Sequence, residues 1–499
     1  DKNTSRNEIV MDIDLSYAGD CDITFLVNSV KAGIKDFQIN GLLRVVMKPL
    51  INQIPIVGGL QVYFLNKPSI DFNLIGVADF LDLPGFSGIL RKVIMDQISS
   101  MVVLPNKYPI KLNENVEFSN ILVTEPEGVL RIHLVEAKDL VKKDIGVLGR
   151  GKSDPYAIIR VGAQEFRTNT IQNSLNPKWD FWCEFVVTES IGQKIHINVW
   201  DYDEMPKDDE TLGDMSFDIS NITKYGNMDK WITLDNIKHG MIHLRISWLQ
   251  FSTDISDLKL ALQETKLIQV TNMSSALCIV YVDSAKNLPE PRVSSRPDPY
   301  VTLSIGRNKV QTQVLMRTRD PAYEKTFYFL INDPRSDILN FLVVDNKTEQ
   351  DIGFLTYNVS KLLEKPQMEI RKQPFQLKQS GPDSKIILTM ALRILKNSKR
   401  DETVAQLIRK DSSISDDSAI SSQNSPMSKT NLKSTTNETI EFSVSEITSD
   451  SEAKESSVES ESTTLLQRRA SSQAISAGEF GLGRIQLTVR YSFQRQKLV

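Results

Sequence analysis

Short stretches of alternating apolar and polar residues, separated by Gly, Pro, Asn and Asp, run through most of the chain. Residues 156–161, 181–187 and 195–200 are rich in β-branched and aromatic side chains. A period of two places apolar side chains on one face of a strand, and many short strands at this spacing predict β-sandwiches. We therefore expect a mainly β protein.

One unit occurs twice. The strand-like residues 130–140 return in outline at residues 277–288. Three landmarks return after 144 residues (298 − 154 = 144), namely Asp154 as Asp298, Pro177 as Pro321 and Asp201 as Asp345. A constant offset indicates two copies of one domain, which we place at residues 125–250 and 262–397.

Residues 1–120 have a different pattern. Alternating strands are predicted at 9–17, 23–30, 43–50, 60–65 and 70–75. A helical pattern follows, with apolar residues at Leu90, Val93, Ile94 and Ile98. This segment is expected to form a separate α+β domain.

Composition excludes several classes of protein. The net charge of −4 gives no global basic field for nucleic acid, and basic residues are not interleaved with aromatic ones. The three cysteines lie far apart, which argues against a disulfide framework. No catalytic motif accompanies the four histidines, so we expect no enzyme. The apolar stretch 88–104 contains Arg91, Lys92 and Asp96, and is not a membrane span.

Residues 398–478 are rich in Ser, Thr, Glu, Asp and Lys, and are predicted to be a disordered linker. Ser471 follows two arginines and is a candidate phosphorylation site, although a flexible spacer is the simpler role. Residues 479–499 open like another copy of the repeated unit, so we infer the start of a third domain there. The chain begins at Asp1 rather than at a methionine, and we expect earlier residues to be missing.

The order of landmarks in each copy resembles the C2 domain: a Lys-Asp-Leu turn, an Asp-Pro-Tyr strand start, an Asn-Pro-x-Trp corner and an acidic loop before Leu-Gly. In a C2 domain these loops meet at one tip. The resemblance places five carboxylates there, those of Asp144, Asp154, Asp201, Asp203 and Asp209. Calcium prefers six to eight oxygen ligands, so we predict a Ca²⁺ site. Asp208 and Glu210 remain alternatives to Asp209.

The second copy has lost most of these acids. Asp298 and Asp345 remain, but Lys347 replaces Asp203 and no residue clearly replaces Asp144. Asp351 and Glu290 could still supply oxygen atoms. We predict weak or absent calcium binding, with Asp298 acting as the turn residue before Pro299.

Residues 41–50, 55–60, 64–68 and 83–86 resemble the C-terminal half of the synaptotagmin-like mitochondrial-lipid-binding (SMP) domain. With two C2 domains after it, the chain resembles the extended synaptotagmin family. That resemblance implies a tubular, lipid-binding fold that dimerises or joins paralogues, and an endoplasmic reticulum anchor that this sequence lacks. Candidate residues for an apolar lipid groove, which could equally form an ordinary core, are Val45, Met47, Val62, Phe64, Phe72 and Leu74.

The resemblance implies a tether that links the endoplasmic reticulum to the plasma membrane, binds anionic phospholipid under calcium control and transfers glycerophospholipid cargo. The alternative is a calcium-dependent adaptor that docks on membranes and recruits proteins without moving lipid. A lipid cargo in residues 1–120 distinguishes the two.

Overall fold

The computed structural model describes residues 8–27, 30–76, 86–116, 121, 125–142, 153–203, 209–268, 273–291, 295–397 and 484–491. The predicted linker 398–478 lies outside these residues. Strands dominate the described part, which confirms the mainly β class. No helix among these residues is long and apolar enough to cross a bilayer.

The N-terminal domain is a twisted antiparallel sheet with one long helix. Its elements are β1 (Ile9–Val27), β2 (Val30–Met47), β3 (Gly59–Phe64), β4 (Ser69–Gly76), α1 (Phe86–Val102) and β5 (Tyr108–Lys111). The strand order is β1-β2-β3-β5, and β4 pairs with β2. The predicted strands 9–17 and 23–30 are one strand, because β1 continues through an irregularity between Gly19 and Asp22.

A further strand, β22 (Arg484–Tyr491), lies antiparallel to β1 along the edge of this sheet. The alternating pattern at residues 483–491 therefore does form a strand. It is the only described part of the third domain inferred from the sequence, and that domain remains a prediction.

The first sandwich packs two sheets around one apolar core. One sheet contains β6 (Gly128–Lys138), β9 (Lys178–Val187), β12 (Asn227–Thr233) and β13 (Met241–Ser252), and the other contains β7 (Pro155–Val161), β8 (Gln164–Arg167), β10 (Lys194–Asp201) and β11 (Glu210–Asp218). The short helix α2 (Ile219–Tyr225) follows β11. Alternating burial along β10 shows why the period of two predicted this strand.

The second sandwich repeats the plan after helix α3 (Ser256–Leu267). One sheet contains β14 (Ala276–Lys286), β17 (Ala322–Ile331), β20 (Glu369–Gln376) and β21 (Lys385–Asn397), and the other contains β15 (Pro299–Ile305), β16 (Asn308–Gln311), β18 (Ile338–Asp345) and β19 (Asp351–Asn358). A short helix α4 (Ser360–Leu363) and a 3₁₀ turn (Pro366–Met368) precede β20.

The two sandwiches share one continuous sheet, which the sequence did not reveal. The last residues of β13 pair antiparallel with the last residues of β21, from Leu249 opposite Asn397 to Ser252 opposite Ile394. Each strand begins at the loop end of its own sandwich, which we call its tip, and ends at the opposite end, its base. The sandwiches are thus joined base to base.

The base of the first sandwich also contacts the N-terminal sheet through Glu189. This carboxylate accepts hydrogen bonds from Tyr63 Oη at 2.8 Å, Lys107 Nζ at 3.1 Å and Arg44 Nη1 at 3.1 Å. Beside it, Ala163 N donates to the Leu104 carbonyl at 2.7 Å. A Cβ at Gly162 would lie 2.2 Å from that oxygen, so this close approach requires glycine.

Glu189→Gln should destabilise the chain by roughly 3 kcal/mol at neutral pH, because Lys107 would lose its buried counter-charge, while Arg44 would keep its ion pair with Asp12. Burial alone would raise the pKa of Glu189, but Lys107, Tyr63 and Arg44 together hold it below the ordinary 4.5. A depressed carboxyl pKa stabilises the fold above the unfolded pKa, and this stabilisation is lost as the pH falls through the folded value. Urea titrations across this range should show the difference between wild type and variant shrinking in acid.

The matched control is Glu165→Gln, since Glu165 pairs with Arg160 at 2.7 Å but its side chain is 35% exposed, against 17% for Glu189. This change should cost at most about 1 kcal/mol. A Glu189→Gln defect that stayed constant between neutral and acidic pH would show that the negative charge is not what holds the contact.

Candidate functional site

Strand register brings the acidic residues of the first sandwich to one tip. Asp201 is the last residue of β10 and stands between Pro155 of β7 and Glu210 of β11. Asp154 immediately precedes β7, and Asp209 immediately precedes β11. Residues far apart in sequence therefore meet because three neighbouring strands begin or end at this point.

Backbone hydrogen bonds fix the first two carboxylates. Asp201 is 1% exposed, and its Oδ1 accepts from Asp154 N at 2.6 Å. Asp154 in turn accepts from Asn173 N at 2.6 Å through Oδ1, and from Tyr202 N at 3.0 Å through its carbonyl. The three loops of the tip are thus tied together at Asp154.

The other two described acids are linked to each other. Asp209 Oδ1 accepts from Asp203 N at 3.0 Å, and Oδ2 accepts from the Tyr156 hydroxyl. Burial and then this hydrogen bond raise the pKa of Tyr156 well above its ordinary value, so the hydroxyl remains a donor. Glu210 is instead a ladder residue of β11 opposite Asp201. Asp144 and Asp208 lie outside the described residues.

Tyr156 and Asn173 each position an acidic side chain, a role that the sequence pattern did not predict. Tyr156 belongs to the repeated Asp-Pro-Tyr motif, and this repetition was the available signal. Asn173 contributes its backbone N–H at a φ of 55°, a conformation that asparagine tolerates. Because only the backbone of Asn173 makes this hydrogen bond, its side-chain type did not indicate the role.

The donor set at this tip fits a calcium ion. Asp154, Asp201, Asp203 and Asp209 supply only hard carboxylate oxygens, without the imidazole or thiolate that zinc prefers. As they stand, no three acidic, histidine or cysteine side chains of the described residues are close enough together to hold an ion. A complete cage therefore needs movement of these carboxylates or further ligands.

The second sandwich has the same hydrogen-bonded scaffold, shifted by 144 residues. Asp345 Oδ1 accepts from Asp298 N at 2.7 Å, and Asp298 Oδ1 accepts from Arg317 N at 2.7 Å. Asn346 N donates to the Asp298 carbonyl at 2.9 Å. Asp298 is thus more than the turn residue expected before Pro299, because it holds three loops together.

This second tip satisfies its own buried carboxylate. Asp345 is fully buried, and its Oδ2 accepts from the Thr348 hydroxyl at 2.7 Å and from Thr348 N at 3.2 Å. Glu290, a possible oxygen donor in the sequence analysis, lies 4.0 Å from Arg319 instead. Lys347 is exposed on the same turn.

The groove candidates of the N-terminal domain divide into two groups. Val45 lies directly opposite both Met11 and Val62, and Val62 lies opposite Tyr108, so these four form one row across the sheet. The next row consists of Ile9, Met47, Leu60 and Ile110. Val45, Met47 and Val62 are half-buried, while the row ends Ile9, Tyr108 and Ile110 are 42%, 47% and 38% exposed.

Phe64 and Phe72 are instead buried, and the Arg91 guanidinium of α1 lies 4.6 Å from the centre of the Phe72 ring. Leu74 lies on β4, but its side chain is outside the described part. The half-buried rows form a continuous apolar face, whereas the two phenylalanines are buried.

Family comparisons agree with this architecture. Residues 1–113 match the synaptotagmin-like mitochondrial-lipid-binding domain, and residues 128–234 and 277–375 match the C2 domain. The chain is 38% identical to extended synaptotagmin-2 of Homo sapiens over 408 residues, which are 80% of this chain and 44% of that protein. It is 37% identical to the Mus musculus protein, covering 80% of this chain and 48% of that one. It thus spans about half the length of these relatives.

Solved structures give the same result. A structure of extended synaptotagmin 2 that holds the SMP domain and two C2 domains has a TM-score of 0.58 and 36% identity, covering 79% of this chain and 85% of that one. A calcium-bound structure of the two C2 domains of extended synaptotagmin 2 has a TM-score of 0.51 and 39% identity, covering 56% of this chain and 100% of that one. A lipid-binding domain followed by two C2 sandwiches, at this identity, shows that the chain belongs to the extended synaptotagmin family.

Proposed function

We propose that this chain is part of a calcium-regulated tether that holds the endoplasmic reticulum close to the plasma membrane and transfers glycerophospholipid between them. One observation carries the proposal: a half-exposed apolar sheet is attached at Glu189 to the base of a sandwich whose tip carries Asp154, Asp201, Asp203 and Asp209. Binding rather than catalysis is the role of both sites.

The acidic tip supplies the calcium control. Asp154 and Asp201 hold the loops in place, while Asp203 and Asp209 add oxygen donors beside them. The C2 resemblance adds Asp144 to this ligand set, and Asp208 and Glu210 remain alternatives to Asp209. Bound Ca²⁺ would supply positive charge at a tip that otherwise repels anionic phospholipid. A calcium-bound structure of the paired C2 domains from a family member at 39% identity supports calcium binding by this pair of sandwiches.

The apolar sheet face supplies the lipid site. Its two rows of aliphatic side chains, with Tyr108 at one end, present apolar surface that water solvates poorly and acyl chains would cover. Val45, Met47 and Val62 form the centre of this face. Neighbouring copies or paralogues would join through the same domain, and nucleic acid is not a proposed partner.

The double variant Asp201→Asn, Asp203→Asn should lose calcium binding in calorimetry, together with calcium-dependent sedimentation on phosphatidylserine vesicles. The change removes two negative charges with little change of shape. The control Asp229→Asn removes a carboxylate of the same sandwich that pairs with His243 and Arg245 instead. Calcium binding in calorimetry that the double variant leaves unchanged would disprove the calcium switch.

Val62→Asp should reduce phospholipid that co-purifies with the chain by roughly tenfold or more, since a charge within the apolar row opposes acyl chains. Lipid extraction and mass spectrometry measure the content. Gln38→Glu adds the same charge to β2 at an exposed position of the opposite face, and should leave the content unchanged. Equal lipid content in the two variants would favour an adaptor that carries no lipid.

Thr348→Val should destabilise the second sandwich by about 1–3 kcal/mol, because a buried Asp345 oxygen would lose a hydroxyl donor. Thermal unfolding measures the loss. Thr356→Val is the control, since its hydroxyl bond to Asn340 is exposed. If calcium restored the stability of Thr348→Val, the second tip would have to be reclassified as an ion site.

A further inference from the structure

The second tip keeps the backbone scaffold of the first but exchanges its side chains. Gln172, Asn173 and Asp203 of the first tip correspond, 144 residues later, to Met316, Arg317 and Lys347. A neutral and an acidic position have therefore become basic, and a polar one has become apolar. The corresponding hydrogen bonds of the two tips differ in length by only about 0.1 Å. The backbone arrangement is therefore the same in both tips, while the side chains at these three positions differ.

The scaffold holds three cationic residues on three adjacent loops. Asp298 bonds to the backbone N–H groups of both Arg317 and Asn346, the neighbour of Lys347. Thr318 N donates to the Pro297 carbonyl at 3.0 Å, and this bond joins the loop that contains Arg317 to the loop that contains Arg296. Arg296, Arg317 and Lys347 are all exposed, and Met316 beside them is 69% exposed.

Some acidic residues of this tip are buried or paired, and others are exposed. Asp298 and Asp345 are buried and accept hydrogen bonds from within the tip. Glu290 lies beside Arg319. Glu349 on the turn of Lys347, Asp351 at the start of β19, and Asp320 and Asp383 beside Asn287 are exposed, and these acids would oppose an anionic surface.

We propose that the tip of the second sandwich docks on anionic phospholipid bilayers without calcium. Arg296, Arg317 and Lys347 permanently supply the positive charge that a bound calcium ion would supply at the first tip. Met316 supplies an apolar side chain that can enter the bilayer interface. Each Lys or Arg near an anionic bilayer contributes about 1 kcal/mol. This inference rests on the proposed membrane-tethering function and adds to it a second, constitutive contact.

The two tips lie at opposite ends of the joined sheet, because β13 and β21 run antiparallel where they pair at their bases. Docking at the second tip therefore does not occupy the first. The two membrane contacts can be measured separately: binding by the second tip in a calcium chelator, and the additional binding by the first tip when calcium is present.

The test uses the full chain with Asp201→Asn and Asp203→Asn, which silence the first tip, in EGTA. Flotation with mixed phosphatidylcholine–phosphatidylserine vesicles should show binding that added salt weakens. Adding Arg296→Gln, Arg317→Asn and Lys347→Gln should weaken binding roughly a hundredfold, since three charges are lost. Asparagine suits position 317 because its φ is 53°.

The matched control is the triple Arg307→Gln, Lys309→Gln, Lys361→Gln, which removes three charges from the base of the same sandwich. It should leave binding nearly unchanged, whereas Glu349→Gln with Asp351→Asn should strengthen it. Equal effects of the tip and base triples, or no binding in EGTA, would overturn the proposal. The tip triple in a chain with Asp201 and Asp203 intact should retain calcium-dependent binding, whose loss would count against the proposed function instead.

Discussion

A buried aspartate that accepts a backbone N–H across two strands is the constraint on which both tips depend. Asp201 in the first sandwich and Asp345 in the second end corresponding strands, and each accepts from the residue that precedes the neighbouring strand. A carboxylate taken out of water must keep its hydrogen bonds, so it fixes the loops around it. In the second sandwich the Thr348 hydroxyl also donates to this carboxylate.

At the opposite end of the first sandwich, the carboxylate of Glu189 forms ion pairs and a hydrogen bond that hold the N-terminal sheet in place. Its partners come from three separate places, β2, β3 and the segment between α1 and β5. Asn66 adds hydrogen bonds to the Gly192 carbonyl and from Lys194 N. A contact built from so many directional bonds favours one orientation of sheet against sandwich. The base of the first sandwich is thus the end held against the N-terminal sheet, and the tip is the opposite end.

The sequence predicted the sandwiches and the family well, because alternation and a constant offset are local and repeated signals. The offset even located Asp154 and Asp201, and therefore the tip. It could not predict Glu189, whose partners Arg44, Tyr63 and Lys107 lie 82 to 145 positions away, nor the pairing of Leu249 with Asn397. Such contacts depend on how whole domains pack against each other. The pattern of residues along a single sequence does not indicate that packing.

Strand lengths set the distance over which the chain can act. β10 extends from the base at Lys194 to the tip at Asp201, so its eight residues span roughly 26 Å. The second sandwich also meets this junction, because Arg393 of β21 pairs with Glu125 just before β6. A bilayer held at either tip is therefore about one sandwich length from the apolar sheet. Under the proposed function, lipid on that sheet would not touch a bilayer bound at a tip, so transfer would require the sheet itself to approach a membrane.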